Sequence, residues 1–212
     1  MAVITIAYQI GSGGRQIGQA LAKRLDLDYI DREIVQGVAQ QLHVSEEAAA
    51  RLDERARGLV TRMLLLLSST GEMALYSPPP EGNVQINEAA YFKTTRAVIE
   101  AAARTNRAVI AGHGANFALA DRQGVLHVFI YAPTEQRITA IMAREQVDRP
   151  EAARRVNRSD HDRAHYIKRF YRMDWRDPAY YDLMINTAHI QPDCVVDLLV
   201  GAWQESGLGS FS

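Results

Sequence analysis

The passage from Val3-Ile4-Thr5-Ile6-Ala7-Tyr8 into Gly11-Ser12-Gly13-Gly14 constrains this chain more than any other feature. A β-branched, apolar run halts at a glycine cluster, and Ile17, Leu21 and Leu25 then recur at helical spacing, which predicts strand, glycine-rich loop and helix. Such a junction aims several backbone N–H groups and the positive end of a helix dipole at one point, a geometry suited to phosphate. A tight turn followed by a surface arginine has the same composition, and the loop alone does not choose between the two.

Spacing narrows the options. A dinucleotide fingerprint requires G-x-G-x-x-G, but after Gly11 and Gly13 the third position is Gln16, with Gly18 two residues late. A P-loop of the form G-x-x-x-x-G-K-[ST] finds its glycines at Gly13 and Gly18, followed by Gln19-Ala20 in place of lysine and hydroxyl. What remains is Gly11-Ser12-Gly13-Gly14-Arg15-Gln16. Here Arg15 stands where a cation is needed, with a planar fork that matches two phosphate oxygens, and Ser12 is the loop's one hydroxyl.

Further along, Asp28 to Asp31 reads as a short strand or its exit, and helices are expected through most of residues 32–76. The three prolines of Ser77 to Asn83 impose a loop. Asn87 to Thr105 is helix-like. Arg107 to Ala111 is a continuous apolar run stopped by Gly112-His113-Gly114, the pattern of a strand buried on both faces. Val125 to Tyr131 is a strong strand, Thr134 opens a helix with Ile138, Ile141 and Met142 in phase, Leu183 to Ile185 reads as a last strand, and Val195 to Trp203 as a closing helix. This alternation predicts an α/β fold, a three-layer parallel sheet flanked by helices, with no linker long enough to divide residues 1–212 into separate domains.

Composition removes several function classes. The 212 residues carry 24 Lys+Arg against 25 Asp+Glu, so bulk nucleic acid and anionic membranes are poor partners and any anion site must be local. Cys194 is the sole cysteine, which excludes an intramolecular disulfide and fits a reducing cytosol. The N-terminus lacks the pattern of a secretory signal, and the most apolar run, Met63 to Leu67, falls far short of the roughly 20 residues of a membrane span. A cytoplasmic protein is expected.

Local charge is another matter. Arg137 to Arg176 holds 11 Lys+Arg against 6 Asp+Glu. Phosphoryl transfer gathers arginines around the nucleotide, and Arg154, Arg155, Arg158 and Arg163 offer such a set; a solvated helix laced with i,i+4 ion pairs is the plainer alternative. His161-Asp162-Arg163-Ala164-His165 only superficially resembles a zinc-protease helix, since the acid is one methylene short and no third ligand stands out, so the metal ligands stay unassigned. Tyr166, Phe170, Tyr171 and Trp175 are better suited to packing this segment onto the sheet than to stacking a single nucleic-acid strand.

Several separated strings, taken in order, resemble one family. They are Ile4-Thr5-Ile6 with the glycine loop, Tyr29-Ile30-Asp31-Arg32-Glu33, Val109 through Asn116, Val128 to Pro133, Asp160-His161-Asp162-Arg163, Asp174 to Pro178, and Tyr181-Asp182-Leu183 through Thr187. From about residue 3 to 200 the chain is similar to the cytidylate kinase-like family of P-loop nucleoside monophosphate kinases.

The resemblance implies a core of residues 1–33 and 106–212, a helical acceptor-binding region at about 34–105, and an arginine-rich lid at about 145–175. It implies ATP and Mg2+, with Gly11, Ser12, Gly13, Gly14, Arg15 and Gln16 at the ATP phosphates. Arg15, Arg158 and Arg163 would be catalytic. Asp31, Arg32, His113, Asn116 and Asp160 would face the acceptor, with the Asp160 carboxylate toward a cytosine amino group, which makes CMP or dCMP the expected substrate. Two departures stand out: His113 occupies the place of the family's usual arginine, and the loop lacks the lysine and hydroxyl of authentic cytidylate kinases. They motivate an alternative, a catalytically lapsed nucleotide-binding regulatory protein. A third possibility is an assembly module in which residues 46–76, with Leu64 to Leu67 consecutive, form a helical interface and a homodimer.

Overall fold

A computed structural model of the chain describes residues 2–31 and 88–206. It divides into two compact units, Met1–Tyr29 with Asn106–Ser212, and Ile30–Thr105. The helices expected between residues 32 and 76, the proline loop, the 46–76 interface and Arg32 lie outside the described residues.

In chain order the described elements are β1 (Ala2–Tyr8), α1 (Gly14–Arg24), β2 (Asp28–Ile30), α2 (Glu88–Arg104), β3 (Arg107–Ala111), α3 (Ala115–Ala118), β4 (Val125–Tyr131), α4 (Thr134–Glu145), α5 (Arg149–Tyr171), β5 (Leu183–Asn186) and α6 (Pro192–Glu205). The strands form one sheet in the order β2-β3-β1-β4-β5. Strand β1 lies parallel to both neighbours, with Ile4 opposite Val109 on one side and Leu126 on the other, and β4 runs parallel to β5 with Ile130 opposite Ile185. Consecutive residues Val3 to Ile6 and Ala108 to Ala111 are buried, as the unbroken apolar runs predict for strands covered on both faces.

Each face has its own core. On one, Ile4, Ile6, Val128 and Ile130 meet Ile17 and Leu21 of α1 and Val195, Val196 and Leu199 of α6. On the other, Phe129 packs with Phe117 of α3, Ile167 of α5 and Trp175, and the rings of Tyr131, Tyr166, Tyr171, Tyr180 and Tyr181 gather around them. The aromatics of the basic segment therefore hold α5 against the sheet, the packing role their spacing predicts. The N-terminal half of α5 packs Ala152 and Val156 on Ile138 and Ile141 of α4 and on Ile10, which sits immediately before the glycine loop. Helix α5 starts cleanly because Asp148 accepts from the Glu151 N–H at 2.9 Å and Pro150 falls in its first turn. It stops at Arg172, whose φ of 62° is left-handed. In the second unit, α2 buries Tyr91, Val98, Ile99, Ala102 and Ala103.

Among the described residues, no helix is long and apolar enough to cross a membrane.

Candidate functional site: the glycine loop and its arginines

The loop that follows β1 is built as its composition demands. Gly11 and Gly13 adopt φ of 83° and 81°, where side chains are strained, and Gly13 is followed at once by helix. A Cβ on Gly11 would lie 2.6 Å from the Arg137 carbonyl oxygen, and one on Gly14 would lie 2.3 Å from the Tyr8 Cβ. Gly13 caps α1 without a side-chain bond, so the N–H groups of the first turn, Gly14-Arg15-Gln16, have no capping side chain and stand at the positive end of the dipole. Arg15 is half-buried in this turn and Gln16 is exposed.

Ser12 behaves differently from its loop neighbours. Its hydroxyl is buried and donates to the Gln9 carbonyl at 2.7 Å and toward the Ile130 carbonyl at 3.3 Å, while its own N–H bonds Gln9 again. The hydroxyl shapes the turn. Its carbonyl in turn accepts from Thr187 Oγ1 at 2.9 Å, which also approaches the Tyr131 carbonyl at 3.2 Å. Gln9 donates its N–H to Ile130, and its side-chain oxygen lies 3.4 Å from the Ala132 nitrogen. The loop is thus stitched to the end of β4 and to the residue that follows β5.

Arg163 comes to this loop from the other end of the chain. Its guanidinium lies 5.3 Å from the centroid of the Tyr8 ring, and Tyr8 is the residue whose side chain fills the space a Gly14 Cβ would take. Nη1 donates to Ser159 Oγ at 3.0 Å, one turn earlier on α5. The other arginines of the helix are occupied on its surface. Arg154 and Arg155 both bond Glu151, Arg155 also reaches Glu145 at 2.5 Å, and Arg158, with a side chain 76% exposed, lies 3.6 Å from Asp162. Those bonds hold the Glu151 carboxyl below the usual carboxylate range, with the Arg155 contribution largest, and raise Arg155 correspondingly. Of the arginines expected to form one set, the structure brings Arg163 to the Tyr8 ring, which precedes the glycine loop, and pairs Arg154, Arg155 and Arg158 with nearby acids.

Asp160 is a partner of protein groups. Arg137, only 3% exposed, grips both its oxygens at 3.0 and 2.8 Å and sends Nε to the Ala132 carbonyl at 3.1 Å; Arg176 adds a third bond at 3.1 Å while lying over the Trp175 ring. Sequence reasoning missed Arg137. The signal was present, because Arg137 falls four residues before Ile141 on the apolar stripe of α4, where a cation requires a buried acceptor.

The turn after β3 is a second special backbone. Gly112, His113 and Gly114 are successively left-handed, with φ of 76°, 55° and 71°. For His113 this conformation is unfavourable by about 1–2 kcal/mol. Gly114 makes room for α5, since a Cβ there would meet Ile167 and Tyr171 at 3.0 Å. Asn116 is buried beneath this turn beside Tyr181, whose hydroxyl donates to the Trp175 carbonyl at 2.5 Å and whose pKa is pushed up chiefly by burial. Asp31 is buried just beyond β2. Among the described residues, no three His, Cys, Asp or Glu gather as a metal cluster.

Residues 3–189 match the model of the cytidylate kinase-like family. A cytidylate kinase from Ignicoccus hospitalis is 26% identical over 200 residues, 94% of this chain and 97% of that protein. Another, from Sulfolobus acidocaldarius, is 27% identical over 85 residues, 40% of this chain and about half (47%) of that protein. Among solved structures, an uncharacterized protein from Eubacterium ventriosum superimposes with a TM-score of 0.68 at 18% identity, covering 96% of this chain and 99% of the other. Shikimate kinase from Bacteroides thetaiotaomicron gives 0.53 at 14% identity, over 96% and 98%. These two likenesses show the fold. With the family match running almost the length of the chain, the protein belongs to the cytidylate kinase-like family and is a phosphotransferase of the nucleotide-kinase kind.

Proposed function

We propose that the protein is an ATP-dependent nucleoside monophosphate kinase with CMP or dCMP as its preferred acceptor. The observation that most supports this reading is Arg163 lying over the Tyr8 ring, which itself borders Gly14: a guanidinium from 149 residues downstream of Gly14 shares an aromatic neighbour with the uncapped start of α1. The glycine loop fits a triphosphate, because its positive-φ backbone and the dipole of the helix it opens suit close approach of phosphate oxygens.

In this reading the chain's residues position and neutralise. The first-turn N–H groups with Arg15 and Gln16 hold the ATP phosphates, and Arg163 stabilises charge on the transferred phosphoryl group, with Arg158 reaching it only by leaving Asp162. No general base is required, because the acceptor phosphate is already anionic. Magnesium, when bound with ATP, would supply charge neutralisation at the phosphates, while the Ser12 hydroxyl, donating to the Gln9 carbonyl, shapes the loop that receives them. Asp31, Arg32, His113 and Asn116 carry the acceptor role that the family resemblance implies. The Arg137–Asp160 pair points to a structural task for Asp160, so cytosine preference rests on the family rather than on that carboxylate.

The test is direct. Incubation with ATP, magnesium and each monophosphate in turn is expected to yield ADP and a diphosphate, fastest with CMP or dCMP; no turnover with any acceptor overturns the reading. A second reading, a nucleotide-binding regulator without transfer, draws on the inward Ser12 hydroxyl and the missing lysine. Tight nucleotide binding by calorimetry without turnover is its signature.

A further inference from the structure

A lone arginine makes a poor phosphate ligand unless something holds it in place. Its flexible side chain samples many rotamers, and that freedom is lost on fixing it at an anion. Salt-bridging it in advance fixes the side chain but spends the N–H groups that the phosphate needs. Arg154 and Arg155 illustrate this, with their donors committed to Glu151 and Glu145. Stacking on an aromatic face restrains the guanidinium through its plane and leaves its edge free to donate.

Arg163 has this second kind of restraint. Its Cζ is 5.3 Å from the Tyr8 centroid, and one donor, Nη1, goes to Ser159. Tyr8 cannot drift from the loop, because its backbone is the last residue of β1, paired in register with Ile130, and its side chain fills the gap at Gly14. One ring therefore touches both the start of α1 and the arginine. The relationship depends on glycine at position 14, since a Cβ would stand 2.7 Å from the Tyr8 Cγ.

We propose that Tyr8 is the positioning residue for Arg163, a platform that holds the guanidinium beside the glycine loop with its edge donors available to phosphate. This rests on the reading of the loop as a triphosphate site. It assigns Tyr8 no contact with the reacting atoms. Its effect passes through Arg163, so it should vanish when the arginine is absent, and it should depend on the ring and not on the phenol hydroxyl.

Inorganic tripolyphosphate, titrated calorimetrically into the wild type, Tyr8→Leu, Tyr8→Phe, Arg163→Ala and the double variant Tyr8→Leu/Arg163→Ala, separates the possibilities, with thermal midpoints measured in parallel. Tyr8→Leu is expected to weaken binding about 5-fold. Tyr8→Phe should recover most of that loss, and the double variant should bind no more weakly than Arg163→Ala alone. Losses that multiply in the double variant, a Tyr8→Phe protein as weak as Tyr8→Leu, or a Tyr8→Leu protein that binds like the wild type each overturn the proposal while leaving the loop a triphosphate site. A wild type that does not bind tripolyphosphate overturns the loop reading itself and this inference with it. If Tyr8→Leu fails to fold, the decision passes to Tyr8→Phe and to Tyr8→Phe/Arg163→Ala, in which a Phe-for-Tyr change larger than 3-fold that persists without the arginine overturns the proposal.

Discussion

Arg137 and Asp160 form a two-pronged ion pair, at 3.0 and 2.8 Å, that ties α4 to α5 directly beside the glycine loop. The same arginine that holds Asp160 presents its backbone carbonyl to the space a Gly11 Cβ would occupy. Loop, α4 and α5 thus meet at one buried residue, the loop at its backbone and α5 at its guanidinium.

Removing one partner from that pair should be costly. Asp160→Asn leaves Arg137 charged and almost wholly buried, and breaking a buried pair this way typically costs about 3–5 kcal/mol. Urea denaturation should show the loss. The double substitution Arg137→Met/Asp160→Leu, which removes both charges, should recover much of it. Equal stability of Asp160→Asn and wild type would mean that Asp160 is free to serve a ligand instead.

Gly11→Ala should damage the loop more than an ordinary loop substitution. The new Cβ meets the Arg137 carbonyl at 2.6 Å in a backbone with φ of 83°, and the left-handed conformation alone costs about 1–2 kcal/mol. Chemical denaturation is expected to register that loss together with weakened ATP binding. Gly112→Ala has open space for its Cβ at φ of 76°, so it isolates the conformational cost without the clash.

Thr187→Val keeps shape and removes the hydroxyl that donates to the Ser12 carbonyl. A loss of about 1 kcal/mol is expected. Faster amide hydrogen exchange at residues 9–14 would locate the effect in the loop.

His127 should make stability depend on pH. It lies partly buried in β4 with Nδ1 2.7 Å from Thr5 Oγ1, and burial, the larger influence, lowers its pKa from 6.5 against the raising effect of Asp182. The unfolded chain then binds the proton first as pH falls, so stability is fully present above about pH 6.5 and declines below it, down to the folded pKa. Denaturation midpoints between pH 7.5 and 5 should follow this trend, and His127→Gln should flatten that part of the curve.

Arg163→Ala and Arg158→Ala should separate a loop arginine from a surface one. Loss of a charge-stabilising group at transferring phosphate costs about 10²–10³ in rate, and the proposed function gives Arg163, over the Tyr8 ring, that role. Arg158 is exposed and loosely paired, so its removal should change steady-state kcat/KM by less than about 3-fold unless it leaves Asp162 during turnover.

Much of this was legible in the chain. Unbroken runs at Val3–Ile6 and Ala108–Ala111 suit strands buried on both faces, the pattern of a parallel sheet, and glycines that follow those runs mark where the backbone turns left-handed. Local rules of period and turn chemistry act over a few residues, so strand, loop and helix positions follow from neighbours in sequence. Which arginine meets the loop did not. Arg154, Arg155, Arg158 and Arg163 are alike in type and spacing, and only the docking of α5, set by Ile167 and the aromatic cluster on one side and Val156 on the other, turns Arg163 to Tyr8 and leaves the rest to surface acids. The family resemblance implied a base-facing role for Asp160, and its pairing with buried Arg137, 23 residues away in sequence, appears only in the assembled fold. Pairings of that kind arise from long-range packing, where a charge takes whatever counter-charge the assembled core leaves within reach, and composition carries no record of that distance.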